Sequence, residues 1–145
     1  MKTSELMEQA LDWAVATAEG WVFRTEPTNW FGNKPWFERR HSDGISRCET
    51  LAYTDVWELA GPIIERECIS ILNPFDHYQG GGWGARKRNG NHQATGPTPL
   101  TAAMRCYVMS RHGESVEVPD AVQLAVTEQI QFKSRMAAIQ SKGAA

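Results

Sequence analysis

The sequence predicts a single α+β domain, an antiparallel sheet packed by two main helices with a further peripheral helix near the C-terminal end. Three observations carry that reading. Residues 4–19 and 99–111 repeat apolar side chains at helical spacing, short β-rich runs lie between them, and the 145 residues contain neither an internal repeat nor a linker. A chain of this length matches one domain, 1–145, and buries roughly 70% of the surface its unfolded form exposes, so no disulfide or metal staple is needed.

Thr3 or Ser4 is placed to cap a first helix reaching about Glu19, with Glu5 and Glu8 near its positive end and Gly20 as its stop. Leu6, Ala10 and Trp13, broadened by Leu11, Ala14, Val15 and Ala18, make the face that must pack. Trp21-Val22-Phe23 reads as a strand, and residues 26–37, rich in proline and aromatics, as a long irregular loop. A further strand is expected within 45–53. Residues 63–72 alternate and read as a strand entered through a sharp turn at Gly61-Pro62, with Ile69 and Ile71 inward.

The glycine-rich run 79–84 leads into a hairpin over 83–94, because Asn89-Gly90 tolerates the positive φ of a tight turn. Thr98 caps the next helix and Pro99 suits its first position, where a missing N–H is harmless. That helix runs to about Arg111, buries Leu100, Ala103, Met104, Tyr107 and Val108, holds Arg105 off the centre of the stripe, and ends at Gly113. Val116 and Val118 suit an extended arm. Pro119-Asp120 then opens a helix to about Ile139 whose stripe, Val122, Val126, Ile130 and Lys133, is thin, as fits a rim or an oligomer interface; 141–145 should fray.

Hydrophobic residues are 41% and charged residues 22% of the chain, an ordinary globular mixture. Fifteen basic residues against seventeen acidic give a net charge of −2, which provides no global field for nucleic acid or for an anionic membrane. No apolar run is long enough to span a bilayer, and the acidic start is unlike a signal peptide, so the expected place is the cytoplasm. Cys48, Cys68 and Cys106 are odd in number and form no CxxC pair, against both a disulfide framework and a zinc site. Cys68 and Cys106 read as buried structural thiols.

Two signatures stand out, Gly61-Pro62-Ile63-Ile64-Glu65-Arg66-Glu67 and the run from Gly96-Pro97-Thr98-Pro99 through Arg105-Cys106-Tyr107-Val108. With Ser4-Glu5-Leu6 and Leu11-Asp12-Trp13-Ala14-Val15-Ala16 they resemble the NinX-like family of tailed bacteriophages. The resemblance implies an accessory protein made in the cytoplasm of an infected bacterium, and it implies no reaction. Thr54-Asp55-Val56-Trp57 stands where the family carries a tighter Thr-Asp-Trp, and the aromatic insert 29–47 and the helical tail 120–145 depart from its pattern.

The chemistry-bearing residues point to binding. Arg66 and Arg105 sit in patterned elements where a guanidinium can grip phosphate, and Arg86, Lys87 and Arg88 follow the glycine-rich run, whose backbone amides can join them around an anion. Thr98 opens a helix whose free N–H groups suit an anion, and Trp57 or Trp83 can stack on a base. Against these stands a structural reading, with Glu65, Glu67 or Asp55 satisfying the arginines and Thr98 capping its own helix. Trp30, Phe31, Trp36 and Phe37 form an aromatic loop suited to anchoring on a protein partner. His41, His77, His92 and His112 are separate surface histidines with no HxH, HxxxH or HExxH spacing, no nucleophile motif appears, and no metal or cofactor is expected. The functional expectation is therefore capture of an anionic small molecule, such as a nucleotide immune signal, in a homo-oligomer. The alternative is capture of a host defence or replication protein.

Overall fold

The computed structural model describes residues 1–6, 8–32, 35–44, 46–49, 51–73, 82–88 and 92–143. Its N-terminal region is not one helix. A 3₁₀ turn, Thr3–Glu5, is followed by extended Leu6 and then by α1, Glu8–Ala18. The break has a cause: the Leu6 carbonyl accepts from the buried Arg105 guanidinium at 2.7 Å. Thr3 is not the expected cap. It is fully buried, its Oγ1 donating to the Gly113 carbonyl at 2.7 Å and its N–H to Glu114. Gly20, at φ +88°, ends α1, and the Trp21 N–H closes back on the Ala16 carbonyl.

Strands β1 (Val22–Arg24), β2 (Trp36–Arg40) and β3 (Ser46–Glu49) form an antiparallel sheet in chain order. Trp36 and Phe37 thus leave the expected loop and begin β2. Phe37 pairs with Phe23 in register, their rings 5.4 Å apart, and burial of this aromatic pair fixes which face of β2 turns inward.

The segment read as one strand from 63 divides in two. Helix α2, Trp57–Arg66, contains Gly61 and Pro62, and only Ile69–Leu72 forms strand β4. Leu59, Ala60, Ile63 and Ile64 recur at helical spacing, and Ala60 and Ile63 are buried by it. Residues 63–72 also alternate well enough to mimic a strand, and Pro62 argues against a helix interior. Cys68 makes the reversal at φ +52°, a left-handed conformation that holds it at the surface, so the expected buried thiol is exposed.

β4, β5 (Trp83–Lys87) and β6 (Gln93–Gly96) make a second antiparallel sheet, β5 and β6 being the expected hairpin. Its turn residues, 89–91, lie outside the described residues, as do residues 79–81 of the glycine-rich run. Helix α3, Pro99–His112, lies across this sheet and is covered elsewhere by α1, α2 and the 3₁₀ turn. All nine residues from 100 to 108 are buried, so α3 is the central rod of the core rather than a helix with one inward face. Small residues make that possible: a Cβ on Gly96 would stand 2.8 Å from the Ala102 nitrogen and 2.9 Å from Thr101 Cγ2.

The chain then crosses beside the N-terminus, with Met1 and Val116 exchanging backbone hydrogen bonds, and Val116 and Val118 are buried in this arm. Helix α4, Asp120–Gly143, packs on α1 and buries Val122. Its exposed apolar face is not the expected stripe. The side chains of Val126 and Ile130 lie outside those described, while Phe132, Met136 and Ile139 share a face and are exposed.

Candidate binding site

At one end of α3, side chains from α1, α2, β5 and α3 converge on two carboxylates. Glu67, just past α2, accepts from Lys87 Nζ at 2.7 Å, from Arg111 at 3.1 Å and from Arg66 Nε at 3.2 Å. Glu19, just past α1, accepts from Arg66 at 2.9 and 3.0 Å and from the Tyr107 hydroxyl at 3.2 Å. Tyr107 is the floor of the cluster, with the Arg66 and Arg111 guanidinium carbons 5.9 and 5.6 Å from its ring centre.

The charges are mutually supporting. Hydrogen bonding from Lys87, helped by Arg66 and Arg111, lowers the Glu67 pKa to about 2 against the opposing effect of burial. Burial works against the Arg66 charge, but Glu19 and Glu67 outweigh it and raise its pKa. Burial, with Glu19, raises that of Tyr107 and keeps the phenol neutral. Three cations, Arg66, Lys87 and Arg111, face two carboxylates, so the cluster carries a positive excess. The Arg66 and Arg111 side chains are half exposed, which leaves guanidinium edges toward solvent.

Of the residues expected to hold a ligand, Arg66 and Lys87 belong to this cluster. Arg105 is deep in the core, where its Nε and Nη1 donate to the Leu6 and Thr95 carbonyls, both at 2.7 Å. Burial lowers its pKa. Thr98 is the N-cap, its Oγ1 accepting from the Thr101 N–H at 3.1 Å. Arg86 is exposed in β5, and strand alternation turns it to the face opposite Lys87. Trp83 is half-buried against the core, and Trp57 is exposed at the start of α2. Arg111, Glu19 and Tyr107 were not singled out by the sequence as ligand contacts, whereas Lys87 was, beside Arg86 and Arg88. The spacing of Tyr107 and Arg111, one helical turn apart on α3, is the available local signal.

The aromatic segment makes a second surface feature. Thr28 and Gly32 exchange backbone hydrogen bonds at 3.0 and 2.8 Å, and Thr28 Oγ1 accepts from the Phe31 N–H, closing a small loop. Trp30 at its tip is 91% exposed. Phe31 stacks on Trp36 at 6.0 Å, and Trp36 Nε1 donates to the Glu26 carbonyl at 2.8 Å. Phe37 does not belong to this surface; it is a core residue.

No grouping of three metal-binding side chains occurs among the described residues. Cys106 is buried, and burial raises its thiol pKa, which suits an inert core residue. His41 is half-buried rather than a surface residue, with its Nε2 unpartnered among the described residues, and His77 lies outside them.

The family of bacteriophage P22 NinX matches residues 2–111, about three quarters of the chain. The chain belongs to that family. The matched span runs through both sheets and ends within the last turn of α3, so the NinX pattern contains the Arg66, Glu67, Lys87, Tyr107 and Arg111 cluster and stops before α4. It makes the chain a phage accessory protein. No curated protein matches it. No helix among the described residues is long and apolar enough to cross a membrane.

Proposed function

We propose that this phage protein acts by binding, holding an anionic small molecule of the infected bacterium, such as a nucleotide immune signal, and thereby countering host defence from the cytoplasm. The supporting observation is the pair of half-exposed guanidinium groups, Arg66 and Arg111, set over Tyr107 in a cluster with a cation excess. Guanidinium edges recognise phosphate oxygens, and carboxylates on their inner edges hold them in place before the ligand arrives. The exposed Phe132, Met136 and Ile139 face supports a homo-oligomer built on α4.

Titration calorimetry against cyclic and linear nucleotides tests the reading. Binding should appear for at least one nucleotide, and Arg66→Gln with Arg111→Gln should weaken it by about a hundredfold. An absence of heat from the whole panel, together with an unchanged melting temperature, would sink it.

A second reading is favoured by Trp30. A tryptophan 91% exposed at the tip of a hydrogen-bonded loop is an anchor for a protein partner, such as a host defence or replication protein. A stoichiometric partner recovered from host lysate and lost on Trp30→Ala would select this reading over the first.

A further inference from the structure

A cleft of about 500 Å³ opens between α1, the first sheet, the segment leading to α2, and the first half of α4. Its apolar wall includes Phe23, Phe37, Leu51 and Phe132. Its polar groups are Gln9, Asp12 and Asp55, and no lysine, arginine or histidine lines it among the described residues. Phe37 and Leu51 are core residues, so their part of the wall is fixed by the fold, while Phe132 closes it from the exposed side of α4.

The Gln9 side-chain oxygen is buried and has no hydrogen-bond partner among the described residues. That oxygen has no surface open to the cleft, so the groups a ligand meets there are the carboxylates and the apolar wall. Asp12 is itself buried and accepts from the Thr54 N–H at 2.9 Å, so its carboxylate is held in position on the same wall. Asp55 adds a second negative charge nearer solvent. The volume falls within the range of small-molecule sites, and an apolar pocket with a few convergent polar groups is their usual form.

We propose that this cleft is a binding site for a small organic cation, an amine carried on an aromatic or aliphatic body. The ammonium group faces the two carboxylates, while the body packs on the phenylalanines, whose ring faces also attract a cation. An organic anion meets two like charges there and no cationic partner. This site is therefore separate in place and in ligand charge from the one under Proposed function, and neither depends on the other.

Methyl and amide NMR of the full chain, titrated with phenethylammonium and in parallel with 3-phenylpropionate, tests the assignment. Phenethylammonium should shift resonances of Leu51, Ala52, Val122 and Ala125, and 3-phenylpropionate should leave them in place. Asp55→Asn should weaken the amine about fivefold. Asp55 is exposed, so its variant reads out binding without disturbing the core. Arg66→Gln should change nothing, which keeps this result distinct from the anion site. Equal shifts from the carboxylate, no shifts from the amine, or full amine affinity in the Asp55 variant would overturn the proposal.

Discussion

Glu67 accepts hydrogen bonds from three cationic side chains drawn from α2, β5 and α3, while its own side chain is only 9% exposed. Its pKa falls from the ordinary 4.5 to about 2 because Lys87, Arg66 and Arg111 all favour the charged form. A depressed carboxylate stabilises the fold fully above its unfolded pKa, and that contribution is lost as pH falls through the folded value. Glu67→Gln should therefore lower stability near neutral pH by on the order of 1–2 kcal/mol, allowing for solvent screening around the half-exposed arginines. The gap to the parent should close as pH drops from about 4.5 to about 2. Urea unfolding at several pH values measures this, and a gap that stays constant down to the acid end would contradict the account. Sequence proximity correctly offered Glu67 as a partner for Arg66, but the stronger partner, Glu19, is 47 residues away and is supplied by the end of another helix.

At the scale of elements, α3 and α2 show two different degrees of legibility. The signals for α3 are local: Thr98 caps it, Pro99 opens it and Gly113 closes it at φ +84°. Its burial on all sides is not local, and this changes the meaning of Arg105. On a one-faced helix Arg105 is a candidate for ligand; inside a rod it must find acceptors, and it joins the break before α1 to β6. Arg105→Met removes both hydrogen bonds and leaves the buried Leu6 carbonyl and the partly buried Thr95 carbonyl without this donor, for an expected loss of about 2–4 kcal/mol in denaturant unfolding. Arg105→Lys should recover only part of it, because one ammonium cannot reproduce the spread donors of a guanidinium. A full-strength Lys variant would mean that the two carbonyls are not bridged. For α2, Pro62 and a short alternating run outvoted the helical spacing of Leu59, Ala60, Ile63 and Ile64, since two helical turns contain too few residues to separate the periods.

For the whole molecule, the first sheet and the second sheet serve different ends. The second lies against α3 and completes the core, while the first helps to wall the cleft and carries the aromatic loop. Helix α4 begins on α1 and then exposes Phe132, Met136 and Ile139 beyond the span shared with the family. Covering three such side chains across a pair of molecules removes enough apolar surface to favour association by several kcal/mol. Sedimentation should show self-association of the parent chain, and Phe132→Glu with Ile139→Glu should give a monomer of unchanged helix content. A parent chain that sediments as a monomer at high concentration would remove α4 as an assembly surface.

The α+β class, the capped helix α3, the β5–β6 hairpin and membership of the phage family were legible locally, because caps, turns and apolar periods act over a few neighbouring residues. Tertiary structure alone decided that Gly61 and Pro62 lie in a helix and that Phe37 and Arg105 are interior. It also decided that Arg66 meets Glu19 and that Gln9 faces a cleft. Those outcomes depend on which distant segments close over a side chain, and burial, once imposed, requires each polar group either to find a partner within the fold or to be left waiting for one.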